Sequence, residues 1–86
     1  TTGQLEAGLR QQIALSQVVI IISGMYVAYR QWIQKEIDIA LEMNKPIIGI
    51  EPWGSLRVPV AVQSVAHEMV GWNTSSIVGA IRRLAP

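Results

Sequence analysis

The residues best placed for chemistry lie between Gln17 and Ile50, and the carboxylate of Glu36 is the most informative of them. Trp32 precedes Glu36 by one helical turn, so both side chains are expected on the same face of a helix. An apolar, β-branched stretch comes before this helix, and open α/β sheets bind ligands beyond the carboxyl ends of such strands. A carboxylate there can stabilise positive charge that develops on a ligand. Glu36 is therefore a candidate reacting group, against the alternative of a solvated glutamate early in a helix.

Four further residues are candidates for ligand contact. Ser23 and Gly24 follow the apolar stretch directly, where a hydroxyl and backbone groups can meet a ribose or a phosphate, although an ordinary turn has the same composition. Tyr26 lies in the loop beyond the strand end, and loops of this kind carry many binding residues. Trp32 can stack on a bound ring, but packing between helix and sheet is the more common role of such a side chain.

The composition excludes several kinds of site and partner. The 86 residues include no cysteine and one histidine, His67, so neither thiolate chemistry nor a multi-histidine metal site is expected. Half of the residues are apolar and the formal net charge is +1, which favours a folded domain without a nucleic-acid or membrane partner. No apolar stretch reaches the ~20 residues of a membrane span. We expect a cytoplasmic protein in which His67 is structural or solvated.

The hydrophobic pattern predicts alternating helices and strands. The predicted helices cover residues 4–16, 30–43 and 60–66 and a last segment capped by Asn73 or Thr74, and the predicted strands cover residues 17–22, 46–50 and 68–72. Asn44 is the expected stop of the second helix. The predicted core stripes of the first two helices are Leu5, Leu9 and Ile13, and then Ile33, Ile37, Ala40 and Leu41. Between the second strand and the third helix, Trp53 is expected to fold back over the core rather than to anchor a partner.

This order of elements predicts an α/β fold with three parallel strands. The strand at 17–22 shows too little alternation to be half exposed, so we expect it to be buried on both faces, as central parallel strands are. In this chain, however, it would lie at the edge of the sheet, and an apolar edge strand is a liability unless something pairs with it. We therefore expect that strands preceding Thr1 are absent from this chain, or that another copy covers the edge.

Taken together, these residues resemble the second half of a TIR (Toll/interleukin-receptor) domain. The resemblance rests on Ser16, Ser23, Tyr26, the segment 32–37, Ala40, the segments 45–47, 50–54, 58–59 and 70–73, and Ile77 with the segment 80–82. It is closest to the bacterial TIR-like proteins of Thoeris-type phage defence. The family fold is a flavodoxin-like parallel sheet with strand order 2-1-3-4-5. Residues 1–86 would then form a single partial domain that supplies strands 3, 4 and 5, flanked by helices.

The resemblance also implies an activity. Many bacterial and plant TIR domains cleave the nicotinamide–ribose bond of NAD+ to give ADP-ribose or a cyclic product, and the catalytic glutamate of their W-x-x-x-E helix maps onto Glu36. NAD+ would then be a substrate rather than a cofactor, bound near Ser23, Gly24, Tyr26 and Trp32. Further copies or other TIR-like domains are the expected protein partners. Because the family's first strand and its loops contribute to the nucleotide pocket, the 86 residues alone are expected to be inactive.

Two other functions remain open at this point. One is a non-catalytic TIR-like module that signals by self-association. The other is a response-regulator-like or flavodoxin-like domain, whose defining residues would lie upstream of this chain. The sequence also departs from many TIR domains in having Arg30-Gln31, rather than a small residue, before the tryptophan.

Overall fold

A computed structural model of the chain describes residues 2–26, 28–52, 54 and 57–86. Helices and strands alternate along these residues: α1 (Thr2–Leu15), β1 (Val19–Ile22), α2 (Arg30–Glu42), β2 (Ile47–Ile50), α3 (Val60–Gln63), β3 (Glu68–Val70) and α4 (Thr74–Leu84). A 3₁₀ turn, Ser23–Met25, follows β1. The predicted order of elements is confirmed, although α3 and β3 are shorter than expected. Trp53 lies outside the described residues.

The three strands form one parallel sheet in the order β1-β2-β3. The register pairs Val19 with Ile47 at the start of β1, and Ile48 with Glu68 at the start of β3. All four residues of β2 are buried, as expected for the middle strand of a sheet that has helices on both faces. The predicted α/β class with a parallel sheet is therefore confirmed.

β1 is an edge strand, and only one of its faces is buried. Val19 and Ile21 are 6% and 1% exposed, whereas Ile20 and Ile22 are 37% and 38% exposed. The expected position at the sheet edge is confirmed, but the prediction that both faces are buried is wrong for this chain. The physical reason is the coverage of the sheet. Residues of α1 and α2 pack on the first face, whereas on the other face α4 packs against β2 and β3.

The core consists of two apolar layers, one on each face of the sheet. The first layer is formed by Leu9, Ile13, Val19, Ile21, Ile33, Ile37, Ile39, Ala40, Ile47 and Val62. The second layer is formed by Ile48, Ile50, Val70 and Ala80, with Ile77, Ile81 and Leu84 of α4 packed against them. Leu5, predicted to lie in the core, is 61% exposed. It belongs to the amino-terminal half of α1, which lies beside an open cleft instead of the sheet.

The buried arc of α2 is rotated relative to the predicted stripe. Leu41, predicted to be buried, is 46% exposed, and Ile39 is buried in its place at 2% exposure. Successive residues are separated by about 100° around a helix, so an arc that contains Ile33, Ile39 and Ala40 also contains position 36. The packing of α2 therefore carries Glu36 towards the apolar layer rather than into solvent.

The end of α2 and the starts of β3 and α4 are determined by local features, one a backbone conformation and the others hydrogen bonds. Asn44 has a φ of 55°, a left-handed conformation that asparagine tolerates, and it ends the helix as predicted. Asn73 Oδ1 accepts a hydrogen bond from Ser76 N at 2.8 Å and caps α4. His67 Nδ1 accepts a hydrogen bond from Ile47 N at 3.0 Å, and His67 N donates to Ile47 O at 2.7 Å. His67 thus extends the pairing between β2 and β3 and has the structural role expected of it.

The packing of Met69 across β2 depends on the absence of a side chain at Gly49. A Cβ atom at position 49 would overlap Met69 Sδ and would lie 3.1 Å from Val62 Cγ1. Met69 can turn its flexible side chain aside, but Val62 is fully buried and has to shift, so we expect Gly49→Ala to lower the free energy of unfolding by about 1 kcal/mol, the low end of the cost of overpacking. Urea denaturation followed by circular dichroism measures the difference.

The matched control is Gly8→Ala in α1, where an added Cβ has no neighbour within 4 Å. Alanine in a helix interior is more favourable than glycine by about 1 kcal/mol, so this variant should be more stable than the parent. A Gly49→Ala protein with unchanged stability would contradict the tight packing of Val62 against β2.

Candidate functional site

A cleft of about 290 Å³ lies at the free edge of β1, the side of that strand away from β2. Its walls come from β1, the 3₁₀ turn and the first two turns of α2. The lining residues are Ile20, Ile21, Ile22, Met25, Tyr29, Trp32, Ile33 and Glu36. Among them Glu36 is the one carboxylate, so the cleft is an apolar surface with a single acidic group. We call it the Glu36 cleft.

The carboxylate of Glu36 is half-buried, and two effects act on its pKa. Burial raises the pKa above its ordinary value of 4.5, because the charged form loses solvation. A side-chain hydrogen bond from Trp32 opposes this effect, since it stabilises the ionised carboxylate. The pKa is raised on balance, so desolvation is the larger effect. Trp32 limits the size of this rise.

Trp32 and Tyr29 form the aromatic side of the Glu36 cleft. Tyr29 precedes α2 at its N-cap, Trp32 lies in the first turn, and Glu36 lies one turn later. This spacing of three and four residues places all three on one side of the helix start. Trp32 and Glu36 were predicted from the sequence as site residues, whereas Tyr29 was not. Its position three residues before Trp32, on the same side of the helix, is the signal that could have identified it.

The Glu36 cleft also contains Ile20, Ile22 and Met25, none of which was predicted as a site residue. Their exposure is 37%, 38% and 44%, which is high for large apolar side chains. In the sequence they were assigned to a buried strand and a loop. Their role as cleft residues follows from the edge position of β1, and no property of these residues by themselves indicated it.

Ser23 and Gly24, predicted to contact the ligand, lie outside the residues that line the Glu36 cleft. Ser23 is 1% exposed, and its hydroxyl is buried with no hydrogen-bond partner among the described residues. Gly24 faces the chain after β2, where an added Cβ would meet Pro52 Cβ at 3.9 Å. These two residues begin the 3₁₀ turn that follows β1, and only the third residue of that turn, Met25, lines the cleft.

Tyr26, the remaining candidate, is also separate from the Glu36 cleft. Its hydroxyl donates a hydrogen bond to Gln34 Oε1 at 3.3 Å, and its ring packs against the first core layer. Gln34 in turn donates to Asp38 Oδ1 at 2.9 Å along the outer side of α2. Of the predicted site residues, the structure therefore brings Trp32 and Glu36 together in one cleft, whereas Ser23, Gly24 and Tyr26 lie outside its lining.

A comparison with known protein families shows which family the chain belongs to. The family described as Thoeris protein ThsB, TIR-like domain, matches residues 1–57 of the 86. The chain belongs to this TIR-like family. Every residue that lines the Glu36 cleft lies inside the matched part of this TIR-like domain. No curated protein matches the chain.

Membrane-spanning helices and metal-binding clusters are both absent from the described residues of this TIR-like chain. In the part of it that the structure describes, no helix has both the length and the apolarity needed to cross a membrane. The described side chains also include no group of three or more His, Cys, Asp and Glu residues arranged to hold a metal ion.

The hydrogen bond from Trp32 can be tested through the titration of Glu36. Trp32→Phe keeps an aromatic ring and removes the indole N–H, so the ionised carboxylate loses its donor. We expect the pKa of Glu36 to rise above its value in the parent protein. Carbon-13 shifts of the glutamate carboxyl groups, followed as a function of pH, measure the change.

Glu68 is the internal control for this titration. Its pKa is lowered chiefly by the hydrogen bond from Arg83, and both residues lie on the opposite side of the sheet from α2. It should titrate identically in the two proteins. If the pKa of Glu36 were unchanged or lower in Trp32→Phe, the indole would not be stabilising the carboxylate.

Proposed function

We propose that this TIR-like domain, in its full-length protein, cleaves NAD+ at the nicotinamide–ribose bond and so produces ADP-ribose or a cyclic ADP-ribose signal in antiphage defence. One observation carries the proposal. The carboxylate of Glu36 is half-buried in an apolar cleft at the edge of a parallel sheet, beside two aromatic residues. Membership of a TIR-like family supports the same function.

The chemistry of this bond suits a carboxylate in such a cleft. As nicotinamide leaves, positive charge develops on the ribose, as it does on the sugar ring during glycoside cleavage. A carboxylate that is fixed in place and partly removed from water interacts more strongly with that charge than a solvated one does. The hydrogen bond from Trp32 favours the ionised form that this interaction requires.

The aromatic residues of the cleft supply the binding surface for the leaving group. Trp32 and Tyr29 are 40% and 55% exposed, so each presents part of a ring to the cleft. An offset aromatic stack is worth about 0.5–1.5 kcal/mol beyond the burial of area. A positively charged nicotinamide ring gains further from the electron-rich face of tryptophan. In this proposal the two rings hold the nicotinamide while Glu36 faces the ribose.

The decisive test is NAD+ turnover by the full-length protein with Glu36→Gln. This change keeps the side-chain size and removes the negative charge, so we expect the rate to fall at least about a hundredfold, the typical loss for one charge-stabilising group. Release of nicotinamide, with the second product identified by mass spectrometry, measures the rate. The matched control is Asp38→Asn on the same helix, because Asp38 is exposed and an asparagine Oδ1 can still accept from Gln34.

The stability of the Glu36→Gln protein shows whether a lost activity reflects unfolding. Folding raises the pKa of Glu36 above 4.5, so the folded state binds this proton more tightly than the unfolded state does. That stabilisation is complete below pH 4.5 and is lost as the pH rises through the folded pKa. At neutral pH the glutamine protein should therefore unfold at a higher urea concentration than the parent. Turnover that persisted in a stable Glu36→Gln protein would refute the proposed role.

A second candidate function, self-association without catalysis, is favoured by the edge of β1. Among the described residues this strand has a neighbour on one side only, and Ile20 and Ile22 are more than a third exposed. An apolar strand with an unpaired edge is a template for pairing with another chain. Full-length protein that self-associates and consumes no NAD+ would favour this function over the first.

Ile20→Lys tests the association directly, since a charged side chain on an edge strand opposes strand pairing. We expect the average mass in sedimentation equilibrium to fall towards that of the monomer. Leu15→Lys is the control, because Leu15 is 81% exposed at the end of α1 and lies off the sheet. Equal masses for Ile20→Lys and the parent would exclude this edge as the contact.

A further inference from the structure

A second cleft, of about 600 Å³, adjoins the Glu36 cleft. Tyr29 and Trp32 line both clefts and so form a shared wall between them. The other side of the second cleft is formed by the start of α1, where Leu5 is exposed and faces the beginning of α2. Both volumes are of the size found in small-molecule sites, and together they form an extended surface along one end of the domain.

The charged residues of the second cleft are Glu6, Arg30 and Lys35. Lys35 Nζ lies 3.3 Å from Glu6 Oε2, so these two charges neutralise each other. Glu6 is also 3.8 Å from Arg10, which binds Glu42 at 3.0 Å. The side chain of Arg30 takes part in none of the ion pairs or side-chain hydrogen bonds found among the described residues. The second cleft therefore offers one unpaired guanidinium.

We infer that the second cleft binds the diphosphate of a dinucleotide, with Arg30 as its binding residue. The inference rests on the proposed function, since it takes NAD+ as the ligand of the Glu36 cleft. NAD+ has a positively charged nicotinamide at one end and a negatively charged diphosphate beyond the first ribose. The charges of the two clefts follow the same order along α2, with Glu36 for the nicotinamide ribose and Arg30 for the diphosphate.

The chemistry of arginine fits this role. A guanidinium presents parallel N–H donors that bind two oxygens of a phosphate at once, and it stays charged at all physiological pH values. Arg30 is the first residue of α2, and the backbone N–H groups of that first turn have no side-chain cap and no acidic residue beside them. The positive end of the helix therefore adds to the charge of Arg30 and favours an anion in this cleft.

The test compares two substrates of the full-length protein that share a nicotinamide–ribose bond. NAD+ carries the diphosphate, and nicotinamide riboside has no phosphate. We expect Arg30→Gln to raise the KM for NAD+ about tenfold, as the loss of one charge-assisted contact implies, and to leave kcat/KM for nicotinamide riboside unchanged. Arg30→Lys, which keeps the charge, should recover part of the loss. Arg82→Gln, on the exposed last turn of α4, is the matched control and should leave both substrates unaffected.

A binding measurement separates this inference from the proposed function. ADP-ribose, the part of NAD+ without nicotinamide, is titrated by calorimetry into the parent and into Arg30→Gln. Affinity that falls about tenfold in the variant supports the inference even if the protein does not cleave NAD+. Equal affinities, no binding to the parent, or equal losses for NAD+ and nicotinamide riboside would each overturn it.

Discussion

The way α2 packs on the sheet determines the position of one carboxylate, and the site depends on that position. Ile33, Ile37 and Ala40 are almost completely buried, and each isoleucine contributes about 1.5–3 kcal/mol when its side chain leaves water. Glu36 lies on the same arc of the helix, so the packing that stabilises α2 also removes part of the solvent around the carboxylate. No lysine or arginine forms a salt bridge with it among the described residues. Trp32 lowers the pKa of Glu36 and so offsets part of the effect of lost solvation.

The helices and strands could be predicted from the sequence more accurately than the side of each element that is buried. The β-branched runs in β1 and β2, Asn44 after α2 and Asn73 before α4 are local signals, and each was sufficient to predict an element or its end. The rotation of α2 was not predictable in this way. Ile39 and Leu41 are both apolar, and the choice between them depends on how α1 and the sheet approach the helix, which is long-range information. The same argument applies to Ile20 and Ile22, whose exposure depends on which elements cover β1.

The ion pairs between α1 and α2 have more influence on the site than on stability. Glu6 with Lys35, and Arg10 with Glu42, lie on the surface, where each such pair contributes about 0–1 kcal/mol. They nevertheless connect α1 to α2, and the Glu6 pair does so in the amino-terminal half of α1, where Leu5 makes little apolar contact. The pairing also determines which cation is available. Lys35 is occupied by Glu6, and Arg30 is left facing the cleft.

The free edge of β1 has a consequence for how binding is controlled. Any strand that hydrogen-bonds to this edge comes to lie beside Ile20 and Ile22, which are also walls of the Glu36 cleft. Strand pairing and ligand binding then become linked equilibria. If strand pairing raises the affinity for the ligand by some factor, ligand binding raises the affinity of strand pairing by the same factor. If that strand comes from a second molecule and its pairing raises the affinity for the ligand, this affinity increases with the concentration of the protein itself.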